Sequence, residues 1–195
     1  MKLGIVYIAL ILTLGVFTFT AACTGSSGQT DSKTSGYIED LYSGDKETVT
    51  SAVKELAARG DAAVGPLIDV FSSGNQQASY YAAVALYYIG EPAIEPLTKK
   101  LGSDDENERD WASNTLALMS ISAVPNLIDI INSGSGTKEE QAEITLIKIG
   151  EPALPLLNLE LNTNANADRE VIIAVIQSIE ATLNLQEKLN YTETG

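Results

Sequence analysis

Apolar positions in this chain recur first at helical spacing and then at a longer, fixed one. Positions 82, 85, 86 and 89 follow the i, i+3, i+4, i+7 rule of an amphipathic helix. At intervals of 30 the same columns return: Ala82, Ala112, Ala142 and Ile172; Leu86, Leu116, Leu146 and Ile176; Ile89, Met119, Ile149 and Ile179. A second set precedes each of these, with Ala63, Ala93, Ala123 and Ala153; Val64, Ile94, Val124 and Leu154; Leu67, Leu97, Leu127 and Leu157; and Phe71, Leu101, Ile131 and Leu161 closing it. Two helices per period follow from this. The small residues at 82, 112 and 142 let the paired helix come close, and the leucines fill the space between.

The polar punctuation keeps the same register. Gly60, Gly90, Ser120 and Gly150 form one column, just past the last apolar residue, where glycine most easily supplies a left-handed stop. Pro92 and Pro152 follow at positions suited to a first helical turn. Pro66 and Pro96, a turn further in, predict an irregular turn or a kink. Ser43-Gly44, Ser73-Gly74, Ser103-Asp104 and Ser133-Gly134 mark the turn between the two helices, with Thr163-Asn164 as a degenerate form. A period of this length signals a solenoid or array, in which each unit hides its apolar face only against its neighbours.

The string A-A-V-A-L-Y-Y-I-G-E-P-A-I-E-P-L, residues 82–97, resembles HEAT repeats of the short, roughly thirty-residue phycobilisome-lyase-like type. The resemblance covers residues 37 to about 185. It implies an all-α fold, a right-handed α-solenoid of about five two-helix repeats. Arg109 and Arg169 match an arginine common in that family, while Ser79 and Glu139 depart from it in the same column. Tyr87 stands where the family usually has a small residue. Such repeats serve as scaffolds in many unrelated settings, so the resemblance implies a fold more than an activity.

Within this frame, Tyr37–Gly60 is a poorer first copy retaining Leu41, Ala52 and Leu56, with Arg59 where later copies have Ile or Met, as suits a capping unit. Copies at 61–90, 91–120, 121–150 and 151–180 follow. Glu180 replaces the stop, so the last helix is expected to run on to about Leu189, with Leu183 and Leu189 over the open end. The repeat domain is thus placed at 37–189 and a tail at 190–195, where Asn190-Tyr191-Thr192 has the form of a glycosylation sequon.

The N-terminus reads differently. After Met1-Lys2 there is no charge from Leu3 to Ala22, the form of a signal peptide or membrane anchor over 1–22. Thr20-Ala21-Ala22-Cys23 resembles a lipobox in which Cys23 becomes the lipidated first residue, although Thr20 replaces the usual aliphatic residue. Lipoprotein, free secretion and an uncleaved single transmembrane anchor are the three fates of this segment, since its length is close to what spans a bilayer. Residues 23–36 are Gly/Ser/Thr-rich and are expected to be a flexible tether.

Composition narrows the chemistry. Against 26 Asp and Glu stand 12 Lys and Arg, a balance that disfavours nucleic acid and anionic lipid as partners. Histidine is absent and Cys23 is the only cysteine, which removes the commonest general base, the commonest metal ligand and any internal disulfide. The run Asp104-Asp105-Glu106-Asn107-Glu108 lacks the spacing and glycine of a calcium loop and suits a helix N-terminus. Glu139 and Glu143 are one turn apart, but nothing encloses them to separate their pKa values. No cofactor, metal or catalytic residue is expected.

The expectation is therefore a non-enzymatic interaction scaffold, tethered to the membrane on its extracytoplasmic side. It is expected to bind a protein or peptide on the concave face formed by the second helices. Candidate contact residues are Tyr80, Tyr81, Val84, Tyr88, Trp111, Asn114 and Leu118. The rings are alternatively spacers packed between neighbouring helices. An enzyme or enzyme subunit similar to bilin lyase repeat proteins, and a structural cell-surface spacer, are the competing functions.

Overall fold

A computed structural model describes residues 32–134 and 136–193, with side-chain surroundings through Leu189. Residues 1–31, including Cys23 and the candidate leader, lie outside the described residues, as do the side chains of the 190–192 sequon.

The described residues are helical and contain no strand. In chain order the helices are α1 (Ser32–Asp40), α2 (Lys46–Ala58), α3 (Asp61–Asp69), α4 (Gln76–Ile89), α5 (Glu91–Lys100), α6 (Glu106–Met119), α7 (Val124–Ser133), α8 (Thr137–Ile149), α9 (Leu154–Thr163) and α10 (Arg169–Glu193). Three short 3₁₀ turns, Val70–Ser73, Ser120–Ser122 and Glu151–Ala153, adjoin α3, α7 and α9. The chain bends by 115° between α6 and α7. Among the described residues no single helix is long and apolar enough to span a bilayer.

Packing follows sequence order. Each odd-numbered helix lies against the even-numbered helix that follows it. The odd helices also touch the odd helices before and after them, and α2, α4, α6, α8 and α10 do the same. The core runs between these two rows. Every residue of the columns beginning Ala63, Leu67 and Ala82 is buried, as are Leu86, Leu116, Leu146 and Ile176. Phe71, Leu101 and Ile131 are buried too, while Leu161, toward the last helix, is half-buried. A fully buried side chain of this size contributes roughly 1.5–3 kcal/mol, so the columns account for most of the cohesion.

Turn chemistry repeats with the core. Asp45, Asn75 and Asp105 cap α2, α4 and α6, their side chains accepting from the backbone N–H of Thr48 (2.8 Å), Ala78 (3.0 Å) and Asn107 (2.8 Å). Two residues earlier in each case, the hydroxyl oxygen of Ser43, Ser73 or Ser103 accepts from the cap residue's own N–H. The acidic run is thus a capped helix start, as its position suggested.

The stop column differs from expectation in one respect. Gly60, Gly90 and Gly150 have φ of 58°, 77° and 73°, but ψ near −130° to −140° instead of the positive ψ of a left-handed helical residue. This is the mirror of an extended conformation, the first corner of a II′-type turn. Ser120 shares it, at φ 53° and ψ −128°, and is the one non-glycine residue with positive φ among those described. Pro66 and Pro96 sit inside continuous helices; the irregular turn appears instead at Ser120–Ser122 and Glu151–Ala153.

Both ends depart from the expected boundaries. Helix α1 begins at Ser32, inside the stretch read as tether, and its Thr34 is buried and accepts from Arg59 Nη1 at 2.9 Å. Arg59 also lies over the Tyr37 ring, 5.4 Å from its centre, so the cap unit's odd residue holds α1 in place. At the other end α10 continues to Glu193; Leu183 is half-buried there, but Leu185 and Leu189 are exposed.

Candidate interaction surface

Helix α4, QQASYYAAVALYYI, carries no Asp, Glu, Lys or Arg. It presents its four tyrosines as two adjacent pairs. Tyr80 and Tyr81 meet edge to face at 5.3 Å, and Tyr87 and Tyr88 at 5.5 Å. Tyr80 is 54% exposed and Tyr88 67%, whereas Tyr81 and Val84 pack partly against the core. Aromatic pairs of this geometry hold each other in place and so limit rotor freedom at the surface.

The rings named from the sequence divide between the two roles open to them. Trp111 on α6 is half-buried and stacks on Phe71, with ring centres 6.0 Å apart and planes at 21°. It is largely a spacer between helices. Leu118, one column equivalent to Tyr88 and on the next helix of the same row, is 53% exposed. Asn114 is exposed and accepts from Lys148 Nζ at 3.0 Å, tying α6 to α8. Ile144 on α8 adds a further exposed apolar side chain to that row. Of the candidate residues, the exposed ones are therefore Tyr80, Tyr88, Asn114 and Leu118, with Tyr81, Val84 and Trp111 partly buried against the core.

Between α2 and α4 lies an open groove of about 550 Å³, lined by Val53, Ala57, Tyr81 and Tyr88 with Thr50 and Lys54 at its edge. The two rings are legible in the sequence; the α2 side of this groove is not, because the first repeat is the most degenerate and its columns are hard to align.

Polar groups between helices have structural partners. Arg109 Nη1 donates to the Ser103 carbonyl at 2.7 Å, Arg169 Nη1 to the Leu161 carbonyl, and Ser79 Oγ to the Val70 carbonyl at 3.4 Å. Three members of this column thus secure the end of the preceding helix or turn, whichever side chain is used; Glu139, with no donor, does not. Burial pushes the Glu108 carboxyl up, but hydrogen bonds from Lys100 (2.8 Å) and Ser103 (2.6 Å) outweigh it and hold it below the usual range. For Glu143 burial is the larger cause of an upward shift, reinforced by the negative charges of Glu139, Glu140 and Asp168. Among the described residues no group of three or more acidic, cysteine or histidine side chains is placed to hold a metal ion.

No protein-family model matches this sequence, and no curated protein does. Among solved structures the chain is similar to an engineered protein of known crystal structure, at 18% identity over 82% of this chain and 90% of that one, with a TM-score of 0.31. A likeness that distant carries no argument about fold detail or function.

Proposed function

We propose that this protein is a non-enzymatic interaction scaffold, a right-handed α-solenoid of HEAT-like repeats. On this reading it is anchored outside the cytoplasm through Cys23 and binds a protein or peptide along the row formed by α2, α4, α6, α8 and α10. The observation that carries the reading is Tyr88 beside Leu118: two large apolar side chains, each more than half exposed, at equivalent positions on neighbouring helices of one row. Tyrosine offers large contact area with few rotors, which is why it recurs as an anchor in protein interfaces. The charge-free surface of α4, within a chain of formal net charge −14, fits a segment that is buried by contact instead of steered by charge.

Selection of a displayed random-peptide library on the purified full chain tests this. Peptide families enriched on the wild type are expected to lose at least about tenfold in affinity, a change of roughly 1.4 kcal/mol, with Tyr88→Asp or Leu118→Asp. They are expected to keep it with the exposed control Gln177→Asp. Families indifferent to both substitutions refute the assigned face. Mass spectrometry of the mature N-terminus tests the anchor separately: a diacylated Cys23 supports it, and an unmodified or earlier first residue does not.

A further inference from the structure

A second groove lies at one end of that row, where the C-terminal ends of α4 and α6 meet the N-terminal starts of α5 and α7. It measures about 770 Å³, and Tyr87, Glu91, Ile94, Glu95, Met119 and Pro125 line it. Its floor is apolar: Ile94 and Met119 are buried. One wall is the Tyr87 ring, 47% exposed and braced edge-on by Tyr88. The rim carries two carboxylates. Glu95 is shared with Lys99 at 2.8 Å in a pair exposed on both sides, the kind that contributes little and exchanges readily with another cation. Glu91 makes no ion pair among the described residues.

The repeat provides its own comparison. Two units further on, the equivalent groove is lined by Ile147, Glu151 and Ile179, and measures about 340 Å³. It keeps one carboxylate, in the place of Glu91, and an apolar floor, but has neither the ring nor the second carboxylate. The residues equivalent to Tyr87 in the flanking repeats are Ala57 and Ala117. With Ile147 as the third equivalent, the column does not call for an aromatic ring at 87. Pro92 and Pro125 remove N–H donors from the first turns of α5 and α7, so these helix starts are poor cradles for an anion.

We propose that this groove takes the side chain of an arginine presented by a partner protein. The methylene stem lies on Ile94, Met119 and Pro125. The guanidinium stacks on Tyr87 and meets Glu91 and Glu95, whose oxygens match its planar fork. Local and long-range charge agree, since a net charge of −14 draws a cationic segment toward the surface before contact. The site adjoins the row centred on Tyr88 through the Tyr87–Tyr88 contact, but its ligand chemistry is different and its test reads Tyr87 and Glu91, so it stands or falls separately from that reading.

The test uses the full chain, purified in a neutral detergent with 3-fluorotyrosine incorporated and the Tyr87 fluorine resonance assigned by Tyr87→Phe. Titration with N-acetylarginine amide is expected to move the Tyr87 resonance saturably, with Kd on the order of 1 mM for so small a probe. The Tyr80 resonance is expected to stay in place. N-acetylcitrulline amide, the uncharged isostere, is expected to give no saturable shift. Glu91→Gln is expected to weaken the arginine probe at least about fivefold, with an unchanged thermal midpoint. Equal response to citrulline, equal movement of all tyrosine signals, or an affinity untouched by Glu91→Gln each overturns the assignment.

Discussion

Ser113 and Thr145 bring their hydroxyl oxygens to 2.9 Å inside the interface of α6 and α8, although 32 residues separate them and neither has exposed surface. Thr145 has one hydroxyl proton, and the Gln141 carbonyl at 2.6 Å takes it. Ser113 must then donate to Thr145 while accepting from Lys148 Nζ at 3.0 Å. The result is a directed chain from an exposed ammonium to a helix carbonyl. Ser113→Ala breaks it at the middle and is expected to cost about 1–3 kcal/mol. Thr145→Val alone is expected to cost a similar amount. The double variant is expected to cost less than the sum, because the second change removes a group already left unpaired. Urea unfolding of the four proteins checks this; strict additivity contradicts the chain.

Ser120 adopts a backbone conformation that its column otherwise reserves for glycine. Holding a side chain there costs about 1–3 kcal/mol, and a glycine gives back part of that as unfolded-state entropy. Ser120→Gly is therefore expected to raise stability by about 1 kcal/mol, or roughly 2–4 °C in Tm for a chain of this size. Gly90→Ala, at the matching position, is expected to lower it. Calorimetry on both variants checks the pair, and a Ser120→Gly variant no more stable than wild type contradicts the strain.

Glu143 has a raised carboxyl, so the folded state holds its proton more tightly than the unfolded chain does. A raised folded pKa means that this group's contribution improves as pH falls through its folded value and worsens above it. Glu143→Gln is expected to stabilise the protein at pH 7, modestly because the group is only partly buried. The gain is expected to vanish below about pH 4, where both states are protonated. Thermal midpoints of wild type and variant across pH 3.5–8 check the crossover.

Trp111 stacked on Phe71 has a direct optical readout. Its fluorescence is expected to be only partly quenchable by acrylamide in the folded protein. Phe71→Ala is expected to shift the emission to longer wavelength and cost about 3–5 kcal/mol, the usual range for emptying a buried aromatic site. A blue, unquenchable indole in the wild type contradicts the half-exposed placement.

The 30-residue columns make the helices and the core legible because each column meets one recurring environment: Leu67, Leu97, Leu127 and Leu157 are all buried for the same reason. Where a column breaks, reading becomes harder. Ser120 in a glycine column gives no sign in its side chain that the backbone stays put. The start of α1 at Ser32 is hidden because Gly/Ser/Thr composition resembles a tether, whereas the bond from Arg59 to Thr34 depends on a residue far along the chain. Trp111 illustrates a different limit. Spacing places it on the outer flank of α6, but whether a ring there faces solvent depends on Phe71, which sits 40 positions earlier and contributes to the preceding turn. The groove at Tyr87 rests on a residue the pattern marks as odd, yet the two carboxylates around it come from the next helix and its floor from that helix and α6.

The pairing of each helix with those one and two places along the chain has a consequence for how the protein comes into being. Contacts that close only short loops carry little entropic delay, so assembly is expected to be quick and to proceed by accretion, hairpin upon hairpin. A chain built this way can begin to settle while its later segments are still being synthesised, and α1 and α10, each with a neighbour on one side only among the described residues, are expected to fray first.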